Sequence, residues 1–278
     1  MVEGGWFQDL ADRDLDAATR AITDGQAETP GDWPSLAVER GFTEDEADYY
    51  EFLHEATIAA AESEARSREQ ATDQQLVHAV RTIDDLSDTV NELAERAAEW
   101  AGSRFGESRQ GLDYVLEVAE REPGSPVDAE IIDLAGSVRD LENRRQRLHT
   151  FVEEQAPTVA PNLSTLAGPL LAARLIALAG GLEALARKPS GTVQVLGAED
   201  ALFAHLEGHA PSPKHGIIFT HEYVRGTRPE KRGSAARALA GKLTIAARID
   251  QYRGEKHPEL EAELDDRIET IRHGGDGE

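Results

Sequence analysis

The 278-residue sequence contains no cysteine, which excludes disulfide bonds, thiolate zinc sites and cysteine nucleophiles. The segment that begins Met1-Val2-Glu3 has neither a basic region nor an apolar run, so no secretory signal is expected. The longest apolar stretch, Leu166 to Leu185, is interrupted by glycine, proline, arginine and glutamate. This pattern predicts a buried core helix instead of a membrane span. We therefore expect a cytoplasmic protein with no membrane partner.

Basic residues are scarce as well, and they are unevenly placed. The chain has 53 acidic and 29 basic residues, for a formal net charge of −24, which by itself argues against a nucleic-acid partner. Between Ala156 and Lys256, however, there are 13 basic residues and 8 acidic ones. This stretch contains every lysine of the chain, namely Lys188, Lys214, Lys231, Lys242 and Lys256. The local balance of +5 predicts an anion-binding module inside an acidic protein.

The acidic excess, with arginine strongly preferred over lysine, is typical of proteins that stay hydrated in concentrated salt. We interpret the source as a halophilic archaeon; an acidic interaction protein from an ordinary cytoplasm is the alternative. High salt weakens phosphate contacts because counterion release contributes little there. An RNA-binding protein of this composition is expected to recognise RNA by shape and together with partner proteins.

The first segment, residues 1–53, is acidic and is expected to be a small or partly ordered region. Turn signals occur at Asp24-Gly25 and at Thr29-Pro30-Gly31. Four aromatic residues have two equally weighted interpretations, a small core or docking anchors for a partner. They are Trp6, Phe7, Trp33 and Phe42.

Residues 54–155 carry a coiled-coil pattern, with apolar positions three and four residues apart. The first stripe is Ile83, Leu86, Val90, Leu93, Ala97 and Trp100, and the second is Leu134, Val138, Leu141, Leu148 and Val152. Glycine and proline are frequent between the stripes, from residue 102 to 128. A long antiparallel hairpin is predicted, its helix from Thr72 to Trp100 being about 40 Å long. Such an arm is too thin for an enzyme pocket and suits a spacer or a dimerisation strut. Trp100 and Phe105 are expected near its tip, where they close the tip or contact a second protomer.

Residues 156–257 predict a compact, mostly helical domain. Pro157 and Pro161 are expected to end the hairpin. Helix candidates follow at Leu163–Ala186, Gly197–Leu206 and Gly233–Tyr252. Residues 258–278 predict an acidic helix that ends near His273, followed by a disordered Gly-Gly-Asp-Gly-Glu tail. The expected fold class is mainly α: a coiled-coil hairpin, a compact helical domain and a small N-terminal region.

The run APNLSTLAGPLLAARLIALAGGLEALARKPSGTVQVLGAEDALFAHL, from Ala160 to Leu206, resembles the signature of the Nop domain family, in particular its archaeal members. Pro213-Lys214-His215-Gly216 and the segments around Ala236–Lys242 and Ala246–Asp250 are similar to the family too. So are Ile83–Leu86 and Asn91–Trp100 in the coiled coil. The resemblance extends over residues 72 to 256.

This resemblance implies a non-catalytic scaffold of the archaeal box C/D guide particle, which methylates ribose 2′-hydroxyls of rRNA and tRNA. In the family, an N-terminal domain holds the methyltransferase fibrillarin and a coiled coil joins two copies into a homodimer. The Nop domain binds a kink-turn in the guide RNA together with the kink-turn-binding ribosomal protein. S-adenosylmethionine is used by the methyltransferase, so no cofactor is expected here. Asp200 and Ser234 depart from the family's frequent lysines, and residues 1–53 are shorter than its usual N-terminal domain.

Candidate RNA and RNP contacts follow from the resemblance and from local chemistry. Lys214 and His215 lie in a proline-flanked turn, where a cation and backbone amides meet phosphate oxygens; a solvated basic turn is the alternative. A cluster of cations follows at Arg225, Arg228, Lys231, Arg232, Arg237 and Lys242, with arginine suited to bidentate phosphate contacts. For Arg237 and Arg248 there is an alternative to RNA contact. On helical spacing they lie inward or form ion pairs with Glu199 and Asp250.

The small residues Gly197 and Ala198 precede a predicted helix and would let RNA approach its exposed amides. Glu199 is expected to accept hydrogen bonds from a nucleobase or a partner, with simple helix capping as the alternative. No nucleotide-binding or metalloprotease motif is present: Gly241-Lys242 lacks the rest of a P-loop, and the nine histidines have no ligand spacing. A structural coiled-coil protein and a splicing-type Nop-domain protein remain alternative functions.

Overall fold

The computed structural model describes residues 5–10, 13–25 and 31–274, and every regular element in these ranges is helical. The helices are α1 Leu15–Asp24, α2 Trp33–Glu39, α3 Glu46–Gln70, α4 Thr72–Phe105, α5 Leu112–Val118, α6 Pro126–Val159, α7 Pro161–Ala167, α8 Pro169–Ala179, α9 Leu182–Arg187, α10 Ser190–Val195, α11 Glu199–Leu206, a 3-10 helix Ile217–Thr220, α12 Glu222–Arg225, α13 Arg232–Tyr252 and α14 Glu259–His273. The predicted mainly α class is confirmed. The turn at Thr29-Pro30 and the tail after Gly274 lie outside the described residues.

Contacts divide the chain into two compact units, Met1–Ala71 and Thr72–Glu278. The predicted boundary between residues 53 and 54 falls inside α3, which is one continuous helix. Sequence composition changes near residue 50, whereas the helix ends only at Gln70, before the extended backbone of Ala71. The functional assignment of the four segments stays a prediction.

The first unit has a small aromatic core. Phe7 and Tyr49 are buried, and Trp6, Trp33 and Phe42 pack against them. The Trp6 indole Nε1 donates a hydrogen bond of 3.0 Å to the Tyr49 hydroxyl, so the polar end of each ring has a partner. The core interpretation of these aromatic residues is therefore confirmed.

The hairpin consists of α4 and α6, each 34 residues long and thus about 51 Å. Its distal inner seam is built mainly from small side chains, which let the two helix axes approach closely. The seam residues are Val90, Ala94, Ala97, Ala98 and Ala101 on α4, with Ile131, Ala135 and Val138 on α6. Of the two predicted stripes, the buried members are Ile83, Val90, Ala97, Val138 and Val152. The larger members Leu86, Leu93, Leu134 and Leu141 are only half-buried, and Trp100 is 42% exposed.

The tip of the hairpin is closed by α5 and by arginine contacts. The Arg121 guanidinium lies 4.8 Å from the centroid of Phe105, and Arg104 donates to Asp128 at 2.6 Å. Phe105 thus closes the tip, as one of its two interpretations predicted. The expected end of the first helix at Trp100 is wrong, because α4 continues to Phe105 through Gly102.

Helix α13 forms the centre of the second unit's globular part. Its Leu239 and Leu243 are fully buried together with Leu175 and Ile176 of α8. The Asp250 carboxylate near the end of α13 accepts hydrogen bonds from the first turn of α7. The prediction that Pro157 ends the hairpin is wrong, because α6 continues through it to Val159. Pro161 is the first residue of the next helix, α7.

Within the described residues no single helix is long and apolar enough to span a membrane. Helices α7 and α8 together reach that length and apolar content, but they meet at a bend of 116°.

Candidate nucleic-acid interface

Three segments bring a cluster of cationic and aromatic side chains to the start of α13. The His215 ring stacks on Phe219 with centroids 4.6 Å apart, and the Arg232 guanidinium lies 5.3 Å from the Phe219 centroid. Lys214 joins them, since its side chain passes about 4 Å from the position that a Cβ would take at Gly233. We call Lys214, His215, Phe219 and Arg232 the α13 start cluster. Phe219 was missed by the sequence analysis, because it looked like one more core residue of an apolar run.

The loop that carries Lys214 is fixed by hydrogen bonds to α10 and its end. Gln194 Nε2 donates to the Lys214 carbonyl at 2.7 Å, and the Gly216 N–H donates to the Gln194 carbonyl at 2.8 Å. Arg232 Nε donates to the Thr227 carbonyl at 3.0 Å and Arg232 Nη2 donates to the Arg225 carbonyl at 3.4 Å, which leaves the N–H groups of Nη1 available for an anion. The Arg232 guanidinium and the backbone of Lys214 are therefore held in place before a ligand binds.

Burial lowers the pKa of His215, and the positive charges of Arg232 and Lys214 lower it further. The ring is thus neutral at pH 7, and the positive charge of the cluster comes from Lys214 and Arg232. A neutral imidazole keeps one donor and one acceptor nitrogen. The cluster can therefore hold a phosphate by charge and recognise a neighbouring polar group by hydrogen bonding.

Helix α11 lies next to this loop in the chain and has no buried residue. Phe203 is 64% exposed and Leu206 is 71% exposed, which makes α11 an apolar surface that the sequence analysis did not single out. Glu199 Oε1 accepts a hydrogen bond of 2.9 Å from the Gly197 N–H, which precedes α11, and no side chain caps the first turn of that helix. Gly197 has φ +81°, a conformation that favours glycine.

Three other predicted contacts have partners inside the chain. Arg228 donates to the Arg272 carbonyl and Lys231 to the Gly274 carbonyl, at the C-terminal end of α14. Cations are favourable at that end of a helix dipole. Lys242 forms an ion pair with Glu263 of α14.

The remaining arginines are placed differently from one another. Arg225 is exposed and lines a groove that also contains Arg174 and His221. Arg237 is exposed and does not pair with Glu199, whose carboxylate bonds Gly197. Arg248 does not pair with Asp250, because its Nε donates to the Ala186 carbonyl at 3.0 Å. Within residues 5–10, 13–25 and 31–274 no group of three or more side chains is arranged to hold a metal ion.

Residues 114–271 match the family profile described as "Nop: snoRNA binding domain, fibrillarin". The chain belongs to the Nop family. A NOP5 family protein of Methanocaldococcus jannaschii is 34% identical over 271 residues, covering 84% of this chain and 66% of the relative. Human nucleolar protein 58 is 30% identical over 244 residues, covering 73% of this chain and 46% of the relative. The family resemblance seen in the sequence, with its archaeal character, is thus confirmed.

The structure is similar to a chain in the crystal structure of a fibrillarin/Nop5p complex, with a TM-score of 0.55 and 26% sequence identity. The match covers 97% of this chain and 99% of that chain. By contrast, this chain spans less than two thirds of the length of the two relatives above.

Proposed function

We propose that this chain is a non-catalytic scaffold of a box C/D guide RNP, in which it bridges fibrillarin to a kink-turn RNA and the RNA's ribosomal-type binding protein. The Nop family profile and the likeness to a fibrillarin/Nop5p complex support this proposal. The fibrillarin-binding role is assigned to residues 1–53. A cytoplasmic setting in a halophilic archaeon is supported by composition alone and stays a prediction.

The observation that carries the RNA-binding role is the α13 start cluster. Two cations from different segments lie beside a neutral histidine and an aromatic ring, in a chain whose net charge is −24. Positive charge is retained at this place although the chain as a whole is strongly acidic. Exposed apolar side chains on α11 add a surface for a base or a protein partner.

The partly exposed leucines of the hairpin support self-association. Leu86, Leu93 and Trp100 follow one another at seven-residue spacing, and so do Leu134, Leu141 and Leu148 on the other helix. Because the alanine seam already joins α4 to α6, these larger side chains keep apolar surface for a second copy. We assign them to the dimer interface of the scaffold.

Assembly on RNA tests the proposal. The full chain is added to a kink-turn guide RNA loaded with its ribosomal-type protein at molar potassium chloride, and binding is measured for the wild type and for Lys214→Glu/Arg232→Glu. The matched control is Arg96→Glu/Arg139→Glu, which changes the charge equally at two exposed hairpin positions. Wild type and control are expected to join the particle, whereas the cluster variant is expected to lose binding.

Sedimentation of Leu93→Asp/Leu141→Asp tests the dimer interface separately, with a monomer as the expected result. Failure of the wild type to join the loaded RNA would overturn the scaffold proposal. If the cluster variant binds as the control does and only the Leu93→Asp/Leu141→Asp variant changes its oligomeric state, a structural coiled-coil function is the better account.

A further inference from the structure

One short loop connects the α13 start cluster to helix α14. Residues 226–231, which we call the α12–α13 loop, join the end of α12 to Arg232 at the start of α13. Thr227 is the buried residue of this loop, 2% exposed. A loop without regular structure keeps one conformation only if other elements hold it, so the contacts of Thr227 matter for the cluster.

Thr227 has hydrogen bonds in both directions. Its carbonyl accepts the bond from Arg232 Nε at 3.0 Å. Its hydroxyl donates to the Tyr223 carbonyl at 2.6 Å and accepts from Arg272 Nε of α14 at 3.2 Å. A single buried residue therefore links the arginine of the cluster to an arginine in the last turn of α14.

The end of α14 holds the same loop at three further points. Arg272 Nη2 donates to the Glu222 carbonyl at 3.1 Å. Arg228 Nη2 donates to the Arg272 carbonyl at 3.2 Å, and Lys231 Nζ donates to the Gly274 carbonyl at 2.9 Å. The last carbonyls of a helix lack partners within the helix and carry partial negative charge. Two cations of the loop satisfy them here, so the loop and the end of α14 stabilise each other.

These bonds give Arg228 and Lys231 a different role from the predicted RNA contact. Arg228 also lies 3.8 Å from the carboxylate of Glu230 in the same loop. Either side chain would have to leave the end of α14 before it could contact a phosphate. Their positive charge is therefore explained by the position of the loop.

Helix α14 is itself firmly anchored, so it can serve as a fixed support. Its Leu264 and Ile268 are buried in the core of the second unit. The Tyr223 hydroxyl donates to Asp265 of α14, which ties α12 to the same helix. A Cβ added at Gly226 would lie 3.2 Å from Arg272 Nη2, so the guanidinium packs closely on the first residue of the loop.

We propose that the end of α14 positions the α13 start cluster, because Arg272 fixes Thr227 and Thr227 fixes Arg232. This inference rests on the proposed function. Arg228, Lys231 and Arg272 are then positioning residues and not RNA contacts. A guanidinium that is held in place in the free protein does not have to be ordered when the ligand binds, and that saving favours binding.

The protonation of His215 reports the position of Arg232 without any RNA. Burial lowers the pKa of His215, and the positive charge of Arg232 lowers it further, so displacement of Arg232 should raise this pKa. The Hε1 resonance of His215 is followed by NMR against pH in the full chain and is assigned by its loss in His215→Gln. Thr227→Val removes the hydroxyl but keeps the branched shape, and should raise the pKa. Thr227→Ser keeps the hydroxyl and should keep the wild-type value.

Assembly on guide RNA loaded with its ribosomal-type protein measures the effect on binding. Links of this kind change binding by about 2- to 30-fold, and Thr227→Val and Arg272→Gln should each weaken assembly within that range. If Arg272→Gln fails to fold, Thr227→Val decides. In an Arg232→Gln background, Thr227→Val should have no further effect, because Thr227 acts through Arg232.

Ile268→Val is the matched control for a loosened helix. Ile268 is 2% exposed on α14, and its truncation weakens the packing of that helix without removing a hydrogen bond. This variant should keep both the wild-type pKa of His215 and the wild-type assembly. If it changes them as much as Thr227→Val does, general loosening explains the effect and the proposal is overturned.

The remaining outcomes separate this proposal from the proposed function. An unchanged His215 pKa in Thr227→Val and Arg272→Gln would overturn the positioning role, and so would a raised pKa with wild-type assembly. Tighter assembly of Arg272→Gln would also overturn it, since the end of α14 would then compete with RNA for Arg228 and Lys231. If the wild type fails to join the loaded RNA, the scaffold proposal is overturned, whereas the His215 titration still decides whether α14 positions Arg232.

Discussion

The carboxylate of Asp250 fixes the first turn of α7 from 88 residues away along the chain. Its Oδ1 accepts hydrogen bonds from the Asn162 N–H at 3.0 Å and from Asn162 Nδ2 at 2.7 Å, and its Oδ2 accepts one from the Leu163 N–H at 2.8 Å. Asn162 is 4% exposed, so water replaces these bonds poorly. A hydrogen bond to a charged group contributes about 1.5–3 kcal/mol, and loss of a helix cap costs about 1 kcal/mol. Since the two accounts overlap, Asp250→Ala should lower the free energy of unfolding by about 3 kcal/mol.

For a unit of this size, that loss corresponds to a decrease of about 6–12 °C in the unfolding midpoint. Far-UV circular dichroism during thermal and guanidinium unfolding, in the salt that supports the fold, measures both quantities. Asp250→Asn keeps one acceptor oxygen and should cost less than alanine does. Asp266→Ala is the matched control, because this exposed acid on α14 has no hydrogen bond at its carboxylate. A loss below about 1 kcal/mol for Asp250→Ala would refute the assignment of Asp250 as the α7 cap.

Three further changes have defined outcomes. The hydrogen bond from Arg104 holds the pKa of Asp128 below its ordinary value of 3.8; the carboxylate therefore stabilises the fold above that pH and ceases to do so as the pH falls further. Asp128→Asn should flatten the acid dependence of thermal unfolding below about pH 4, and an unchanged acid profile counts against the pair. Gly197→Ala forces φ +81° on a residue with a Cβ and should destabilise by about 1–2 kcal/mol in denaturant unfolding; equal stability would show that the turn relaxes freely. Trp6→Phe removes the hydrogen bond to Tyr49 and should lower the free energy of unfolding of the first unit by about 1 kcal/mol. Near-UV circular dichroism during unfolding measures this loss, and an unchanged free energy would show that water replaces the indole N–H.

The hairpin shows how far the apolar pattern alone predicts packing. Large side chains at three- and four-residue spacing identified both helices, because that period is the strongest sequence signal of an amphipathic helix. The seam that joins the distal half of these helices also contains Ala94, Ala98 and Ala101, none of which belonged to the predicted stripes. Alanine contributes little to an apolar pattern, so the sequence indicated the half-buried leucines as the inner contact instead.

The candidate interface shows a different limit. The cations near α13 were visible as a local charge balance, but their partners were not. Arg228 bonds the Arg272 carbonyl 44 residues away, and Lys242 pairs with Glu263 across two helices. No local pattern carries such pairings, so separating the α13 start cluster from structural cations needed the fold. The exposure of Phe203 was also hidden, because a short apolar helix looks the same in sequence whether or not it packs.

We propose that this chain organises RNA methylation without performing it. The most direct test reconstitutes methylation of a guide-matched RNA at molar potassium chloride from fibrillarin, the kink-turn-binding protein and the guide RNA, with this chain present or omitted. We expect methylation only when the chain is present, and loss of that activity in the Lys214→Glu/Arg232→Glu variant. Equal methylation with the chain omitted would contradict it.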